Sequence, residues 1–204
     1  MTNTLNTDVI IVGAGPTGLT LANLLGARGV DVVLVDKRDR LIDYPRGVGL
    51  DDESFRTIQA MDLVEEVTPF TVPHHIMRMV NGKGEVIMTN DPQGRPFGHA
   101  RKHGFLQPLV DNAFYEGLSR YPNVKVIFSQ DLVGIEQNEG AVTATFNHVV
   151  GEDGEETTGE TTVATEETAG DVTEIPEEET AAPTDETEAA GDETTAPAEE
   201  DSGE

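Results

Sequence analysis

Six residues near the amino terminus have types and a spacing that could bind a phosphate group. They are Gly13, Ala14, Gly15, Pro16, Thr17 and Gly18, which form a Gly-x-Gly-x-x-Gly motif. In such a turn the first glycine permits a sharp change of direction and the second lets the backbone approach a pyrophosphate. The third glycine lets the following helix pack closely on the preceding strand. The amino end of that helix attracts the negative charge of the phosphate.

The elements around this motif predict a βαβ unit. They are a buried strand over Val9–Val12, a helix over Pro16–Arg28 with Gly29 as its C-cap, and a second buried strand over Asp31–Val35. The second strand ends at Asp36, which lies 23 residues after Gly13. An acidic residue at about 20 residues' distance can accept a hydrogen bond from a ribose hydroxyl. The unit therefore predicts a site for the ADP half of an adenine dinucleotide, and the turn alone does not distinguish FAD from NAD.

Further along the chain, the hydrophobic pattern predicts additional helices and β-hairpins. The short connections of the βαβ unit favour a parallel sheet, so the predicted fold class is α/β and Rossmann-like. The other predicted elements are a helix over Asp51–Met61 with Asp51 or Asp52 as N-cap, a hairpin of Ile76–Val80 and Glu85–Met88, a helix over Pro108–Arg120, a strand over Val124–Phe128, and a strand pair of Asp131–Gln137 and Ala141–Val149.

The charge of the chain is concentrated in its last quarter. The formal net charge of the 204 residues is −26, and residues 151–204 contain 21 acidic residues and no Lys or Arg. Only Val163, Val172 and Ile175 are sizeable apolar residues in that stretch. Such a composition does not bury enough surface to offset the entropy of ordering the backbone. We therefore expect a domain over residues 1–150 and a disordered acidic tail over 151–204, which either solvates the protein or binds a basic partner.

Composition also excludes several classes of function. The chain has no Cys, so disulfides, thiolate nucleophiles and Cys-ligated metals are excluded. Its acidic charge disfavours nucleic-acid binding, and no apolar run reaches the length of a membrane span. His74 and His75 are adjacent but have no third ligand at a suitable spacing, so no metal is expected. The polar amino terminus lacks a secretory signal, and we expect a cytoplasmic protein.

Three stretches within residues 8–146 resemble the class A flavoprotein aromatic hydroxylases, which have the para-hydroxybenzoate hydroxylase fold. They are DVIIVGAGPTGLTLANLLGARGVDVVLVDK, LIDYPRGVGLDDESFRTIQAMDLVEEV and FLQPLVDNAFYEGLSRYPNVKVIFSQDL. The first is common to many FAD enzymes, whereas the other two, in this order, are more specific. Within the family the chain is most similar to 3-(3-hydroxyphenyl)propionate hydroxylases.

This resemblance implies FAD as cofactor, NADH or NADPH as co-substrate, and O₂ and a small phenolic acid as reactants. It implies that the Gly13–Gly18 turn holds the FAD pyrophosphate and that Asp36, with Lys37 beside it, lies at the adenosine ribose. Arg46 would lie along the FAD phosphates or ribityl chain, Gln107 on the ribityl–flavin side, and the backbone around Leu132 at the adenine. A solvent-facing Arg46 and a Gln107 that only caps its helix are the alternatives.

The substrate site is less well defined by the sequence. A phenylpropionate carboxylate would need a polar partner, for which the candidates are His75, Arg78, Arg101 and His103, and no catalytic residue is identified. Members of the family continue for several hundred residues beyond this region, with an Asp-Gly and a Gly-Asp motif. Gly191-Asp192 lacks the flanking apolar residues of such a motif, and Asp153-Gly154 is expected to lack a preceding buried strand. We therefore expect a front segment of the enzyme, with the Val9–Val12 edge of its sheet left open.

Two other functions remain open at this point. A dehydrogenase or reductase could use the same turn and Asp36 to bind NAD, although this would not account for Arg46 or Gln107. A non-catalytic interaction protein could use residues 151–204 to bind a basic partner. A comparison of FAD and NADH affinities distinguishes the first alternative from a flavin enzyme. Salt-dependent binding of a basic partner by the acidic segment would indicate the second.

Overall fold

The computed structural model describes residues 3–150 and 155–166, and the side chains of residues 4–149 and 161–165. Its strands are β1 (Asn3–Thr7), β2 (Val9–Val12), β3 (Val32–Val35), β4 (Gly49–Asp51), β5 (Thr71–Pro73), β6 (Met77–Val80), β7 (Val86–Asn90), β8 (Lys102–Phe105), β9 (Val124–Ile127), β10 (Gln130–Gln137), β11 (Ala141–Val150) and β12 (Glu155–Glu166). Its helices are α1 (Pro16–Gly26), α2 (Asp52–Ala60), α3 (Val64–Val67) and α4 (Gln107–Gly117), with 3₁₀ turns over Thr68–Phe70 and Leu118–Arg120.

The predicted βαβ unit is confirmed. Strands β2 and β3 pair in parallel, with Val9 opposite Val32, and α1 connects them. Helix α1 ends at Gly26 rather than at Arg28. Gly29 follows in the left-handed region at φ 77°, and its N–H donates to the Gly26 carbonyl. Glycine adopts this conformation without steric cost, so the chain turns here toward β3.

The parallel sheet has the order β2-β3-β9. All four residues of β3 are buried, which explains why its sequence is continuously apolar. Within the described residues, β2 is an edge strand, and the side chain of Val12 at its end is 53% exposed. In the order 3-2-1-4-5 expected for this fold, which numbers the strands of the parallel sheet alone, β2 is strand 1 and lies in the interior. The strand that would cover its free edge is not among those described.

One face of the parallel sheet is covered by helices α1, α2 and α4. Helix α2 begins where the sequence predicts it, because the Asp51 carboxylate accepts a hydrogen bond from the Ser54 N–H and caps the helix. A hydrogen bond from the Ser54 hydroxyl, together with this backbone bond, lowers the pKa of Asp51. The largest fully buried side chains of this core are Leu19, Leu34, Ile58, Met61, Leu63, Val32, Val67 and Val110.

The other face is covered by a second sheet of order β1-β12-β11-β10. Phe146 and Val163 are both 0% exposed and pack with Val33 and Val35 of the parallel sheet. Strand β12 lies beyond the domain boundary expected at residue 150. It pairs in antiparallel with the preceding strand β11 on one side and in parallel with the distant strand β1 on the other, although the composition of this segment alone predicts disorder. Residues 167–204 of the expected tail lie outside the described residues.

Two smaller sheets complete the described fold. Strands β4, β8 and β5 form an antiparallel sheet in that order, and β6 and β7 form the hairpin that the sequence predicts. Gly84 supplies the left-handed residue of the hairpin turn at φ 83°. No helix within residues 3–150 and 155–166 has both the length and the hydropathy needed to cross a membrane.

Candidate functional site

The glycine-rich turn and Asp36 lie at the same edge of the parallel sheet. Strands β2, β3 and β9 run in parallel, so their carboxyl ends share one edge. Strand β2 leads into Gly13, β3 leads into Asp36, and β9 leads into Phe128 and Ser129. Ligands of open α/β sheets bind outside this edge. The topology therefore places the predicted dinucleotide residues where such a ligand would bind.

Each glycine of the turn has a distinct geometric role. Gly13 has φ 109°, which side chains rarely adopt, and its N–H donates to the Val35 carbonyl at 2.7 Å. A Cβ on Gly18 would lie 1.9 Å from the Gly13 carbonyl oxygen, so this glycine permits the close packing of α1 on β2. A Cβ on Gly15 would meet nothing within 4 Å. The space in front of Gly15 is therefore open to a ligand.

Helix α1 begins at this open space without a side-chain cap. Gly15 is its N-cap, Pro16 occupies the first turn, and no acidic residue lies in that turn. Pro16 carries no N–H, and its fixed φ suits the start of a helix. The backbone N–H groups and the positive end of the helix dipole at this position favour a bound anion. The helix start can thus hold a phosphate group.

Asp36 is bound directly to the glycine-rich turn. Its Oδ2 accepts a hydrogen bond from the Ala14 N–H at 2.7 Å, and its Oδ1 accepts one from the Arg38 N–H at 2.8 Å. The backbone of Asp36 is held by the Ile127 carbonyl and by the Gln130 N–H. The carboxylate is partly exposed and keeps lone pairs that can accept from a ligand hydroxyl.

Gln107 connects helix α4 with the loop that contains Arg46. Its Oε1 accepts hydrogen bonds from the N–H groups of Arg46 and Gly47, both at 2.8 Å, and its Nε2 donates to Asp111 Oδ2 at 3.1 Å. Gln107 and Asp111 are buried, whereas the side chain of Arg46 is exposed. The N-cap of α4 is Leu106, so the Gln107 side chain holds a distant loop rather than capping its helix.

Lys37 and Leu132 occupy different surroundings. Lys37 is exposed beside Asp36. Leu132 is half-buried and packs into the apolar layer between the parallel sheet and the second sheet, next to a bulge that precedes Gly134. Its strand begins at Gln130, which binds the Asp36 carbonyl, so the backbone of this segment starts at the same sheet edge.

The candidate partners of a substrate carboxylate are divided between core and surface. His103 is 6% exposed and stacks on Phe55 with ring centroids 3.9 Å apart. Burial, and after it the electrostatic effect of nearby His99, His74 and Arg95, lowers the pKa of His103. The His75 ring packs over Gly104, whereas Arg78 and Arg101 are exposed. Among the described residues, no cluster of three or more His, Asp or Glu has the arrangement of a metal site.

Sequence reasoning missed Asp111, which is the acidic residue most deeply enclosed in this region. It is 3% exposed, and burial raises the pKa of its carboxyl group while the hydrogen bond from Gln107 opposes that shift. The signal was present in the sequence, because Asp111 lies one residue after Val110 and four after Gln107, on the buried face of the helix. A charged residue on an apolar helix face calls for a specific partner.

Solved structures with similar folds include two monooxygenases. The p-nitrophenol 4-monooxygenase PnpA from Pseudomonas putida has a TM-score of 0.68 at 23% identity, over 81% of this chain and 40% of PnpA. The flavin-dependent monooxygenase PieE, solved in complex with FAD and substrate, has a TM-score of 0.64 at 21% identity, over 79% of this chain and 29% of PieE. At this level of identity the likeness concerns the fold, and it confirms the predicted α/β, Rossmann-like class.

Curated relatives are more similar in sequence. The 3-(3-hydroxy-phenyl)propionate/3-hydroxycinnamic acid hydroxylase of Mycolicibacterium gilvum is 48% identical over 163 residues, which cover 76% of this chain and 29% of the hydroxylase. The enzyme of the same name from Shigella sonnei is 48% identical over 136 residues, which cover 67% of this chain and 24% of the hydroxylase. The chain therefore spans less than a third of the length of these relatives.

The family model described as FAD binding domain matches residues 6–166. The match contains the glycine-rich turn, Asp36, the Arg46 loop and Gln107, and it ends at the last residue of β12. It also agrees with the resemblance to flavin-dependent aromatic hydroxylases, which the curated relatives confirm. On the strength of this match, the chain belongs to the family of FAD-binding domains.

Proposed function

We propose that this chain is the FAD-binding front part of a flavin-dependent monooxygenase that hydroxylates a phenolic aromatic acid. The observation that carries the proposal is the glycine-rich turn, with open space at Gly15 and the Asp36 carboxylate bound at Ala14. The names of the curated relatives support a substrate similar to 3-(3-hydroxyphenyl)propionate. A location in the cytoplasm stays a prediction.

The residues present fit the ADP half of FAD. The turn offers a cradle that a Cβ at Gly15 would fill, and the start of α1 offers N–H groups and a positive dipole end to a pyrophosphate. We assign the pyrophosphate to the backbone of Gly13–Gly18 and the adenosine ribose to Asp36, with Lys37 beside it. The backbone near Leu132 is proposed to border the adenine.

Arg46 and Gln107 are proposed to act on the opposite side of the cofactor from the adenine. The exposed guanidinium of Arg46 keeps a fixed charge that suits a phosphate or the ribityl chain. Gln107 contributes through its hold on the backbone of Arg46 and Gly47. Both residues therefore belong to the proposed site, one through its side chain and the other through the loop that it fixes.

When bound, FAD would supply the redox chemistry by which O₂ hydroxylates a phenol, with NADH or NADPH as the reductant. The tasks of this chain are to bind the cofactor and orient it at the carboxyl edge of the sheet. His75, Arg78, Arg101 and His103 stay as predictions for the partner of the substrate carboxylate. The buried, stacked ring of His103 favours a structural role for that residue.

Titration of the purified chain with FAD and, separately, with NADH tests the proposal. We expect FAD fluorescence to be quenched on binding and the affinity for FAD to exceed that for NADH. The variant Gly15→Val should abolish FAD binding because its side chain fills the space in front of the turn. Gly82→Val is the matched control, since a Cβ at Gly82 also meets nothing within 4 Å and that residue lies in the β6–β7 turn. Tighter binding of NADH than of FAD would instead favour a dehydrogenase.

A further inference from the structure

The orientation of the Gln107 amide follows from its neighbours. The N–H groups of Arg46 and Gly47 both point to one atom of this side chain, and an N–H group is only a donor. That atom must therefore be the oxygen. The nitrogen is then at the other end of the amide and requires an acceptor in a region where Gln107 is 5% exposed.

Asp111 is that acceptor. Its Oδ2 lies 3.1 Å from Gln107 Nε2, one helical turn along α4. We propose that Asp111 is a positioning residue of the cofactor site, which fixes the Gln107 amide and thereby holds the Arg46–Gly47 backbone where the exposed Arg46 side chain can reach FAD. This inference rests on the proposed function for the role of Arg46. The hydrogen-bonded chain from Asp111 to the loop stands on the geometry alone.

The cost of burying Asp111 indicates that its carboxylate has a purpose. It is 3% exposed on a helix face that also buries Val110 and Phe114, where an apolar residue would pack without penalty. Its other oxygen, Oδ1, is buried and has no hydrogen-bond partner among the described groups. The bond to Gln107 is thus the polar contact that the described structure gives this carboxylate. Through Gln107 it leads to Arg46, which lies 61 residues before Gln107 in the sequence.

Hydrogen exchange in the FAD-free chain tests the positioning without any cofactor. In Asp111→Ala the Gln107 amide loses its acceptor and can rotate, so the Arg46 and Gly47 amides should exchange on the order of tenfold faster. Asp111→Asn keeps a carbonyl oxygen at that position and should retain slow exchange. The amides of β3 provide the internal reference, because a general loss of stability would accelerate them as well.

The wild-type chain offers a second readout that does not depend on how well a variant folds. As the Asp111 carboxyl group titrates, the Gln107 side-chain amide resonances and those of the Arg46 and Gly47 N–H groups should shift together along one titration curve. Resonances of the loop that stay constant while Asp111 titrates would overturn the proposal. Unchanged exchange of the two amides in a folded Asp111→Ala variant would overturn it equally.

FAD affinity then tests whether the positioning serves the cofactor. We expect the Kd for FAD to rise about tenfold in Asp111→Ala and to stay near the wild-type value in Asp111→Asn. In the Arg46→Ala background, Asp111→Ala should cause no further rise, because its effect passes through Arg46. Additive effects of the two substitutions would refute the positioning role. Failure of the wild-type chain to bind FAD would refute the proposed function, whereas the exchange experiment would still decide whether Asp111 holds the loop.

Discussion

Gly18 and Gly15 belong to the same motif, but replacing each of them should have a different effect. A replacement of Gly18 should lower the stability of the fold, whereas a replacement of Gly15 should weaken cofactor binding. A Cβ at Gly18 would lie 1.9 Å from the Gly13 carbonyl oxygen and 3.3 Å from Ile11 Cγ2. Real Cβ contacts do not fall below 3.0 Å, so α1 would have to move by about 1 Å away from the strand. The obstructing atom belongs to the backbone, and Leu19 and Ala22 of the same helix are 0% exposed, so little room exists for this movement.

We expect Gly18→Ala to lower the free energy of unfolding by about 3 kcal/mol, the upper end of the range for overpacked sites. For a chain of this size that corresponds to a fall in Tm of roughly 6–12 °C. Gly15→Ala meets nothing within 4 Å and changes the N-cap, so its cost should stay below about 1 kcal/mol. FAD affinity should nevertheless fall strongly in Gly15→Ala, because the new methyl group occupies the cradle.

Thermal unfolding followed by circular dichroism, and FAD fluorescence titration below the transition, measure the two effects on the same samples. Gly82→Ala serves as the control, since that glycine also faces open space in a turn of the β6–β7 hairpin. A Gly18→Ala variant that melts with the wild type would refute the close packing of α1 on β2. A Gly15→Ala variant that binds FAD normally would show that the open space is not the cofactor site.

Three further substitutions probe other contacts of the described chain. Asp36→Ala removes the acceptor of the Ala14 and Arg38 N–H groups, and we expect a loss of about 1–2 kcal/mol of stability and a rise of at least about tenfold in the Kd for FAD, measured by urea unfolding and titration. The pKa of His103 is lowered in the folded state, so the unfolded chain takes up the proton first as the pH falls. The stability that the neutral ring provides is therefore fully present above pH 6.5 and is lost as the pH falls below that value. His103→Phe, which keeps a ring against Phe55, should flatten this dependence between about pH 7.5 and about pH 5.5, and an unchanged slope of the urea midpoint would count against it. Arg120→Met removes hydrogen bonds to the carbonyls of Gly117, Asp62 and Met61, and should cost about 2 kcal/mol in urea unfolding while FAD affinity stays unchanged.

The parts of the fold that depend on local pattern were predictable from the sequence. The apolar run of β3, the glycines around α1 and the Asp51 cap of α2 each specify an element within a few residues. The junction of Gly13 and Asp36 at one sheet edge also follows from these elements, because parallel strands share their carboxyl ends. The fold class and the meeting of the glycine-rich turn with Asp36 at one sheet edge were therefore accessible without coordinates.

Other parts depend on partners that are distant in the sequence. Strand β12 is rich in Glu and Thr, and besides the adjacent strand β11 it pairs with β1, which lies about 150 residues earlier in the chain. Strand β4 has three residues and no alternating pattern, and it exists by pairing with β8. The bonds of Gln107 to the Arg46 loop are of the same kind. Local propensity contains no information on such pairings.

Residue-resolved amide shifts on addition of ADP test the proposed cofactor site itself, since ADP contains the diphosphate and sugar that the site is proposed to bind. We expect the largest shifts at the amides of Ala14, Gly15, Thr17, Gly18 and Asp36, whereas the amide resonances of the β6–β7 hairpin should not shift. Saturation at an ADP concentration that also displaces FAD would agree with a single shared site. Shifts that fall elsewhere, with the turn and Asp36 unaffected, would show that ADP does not bind at the glycine-rich turn.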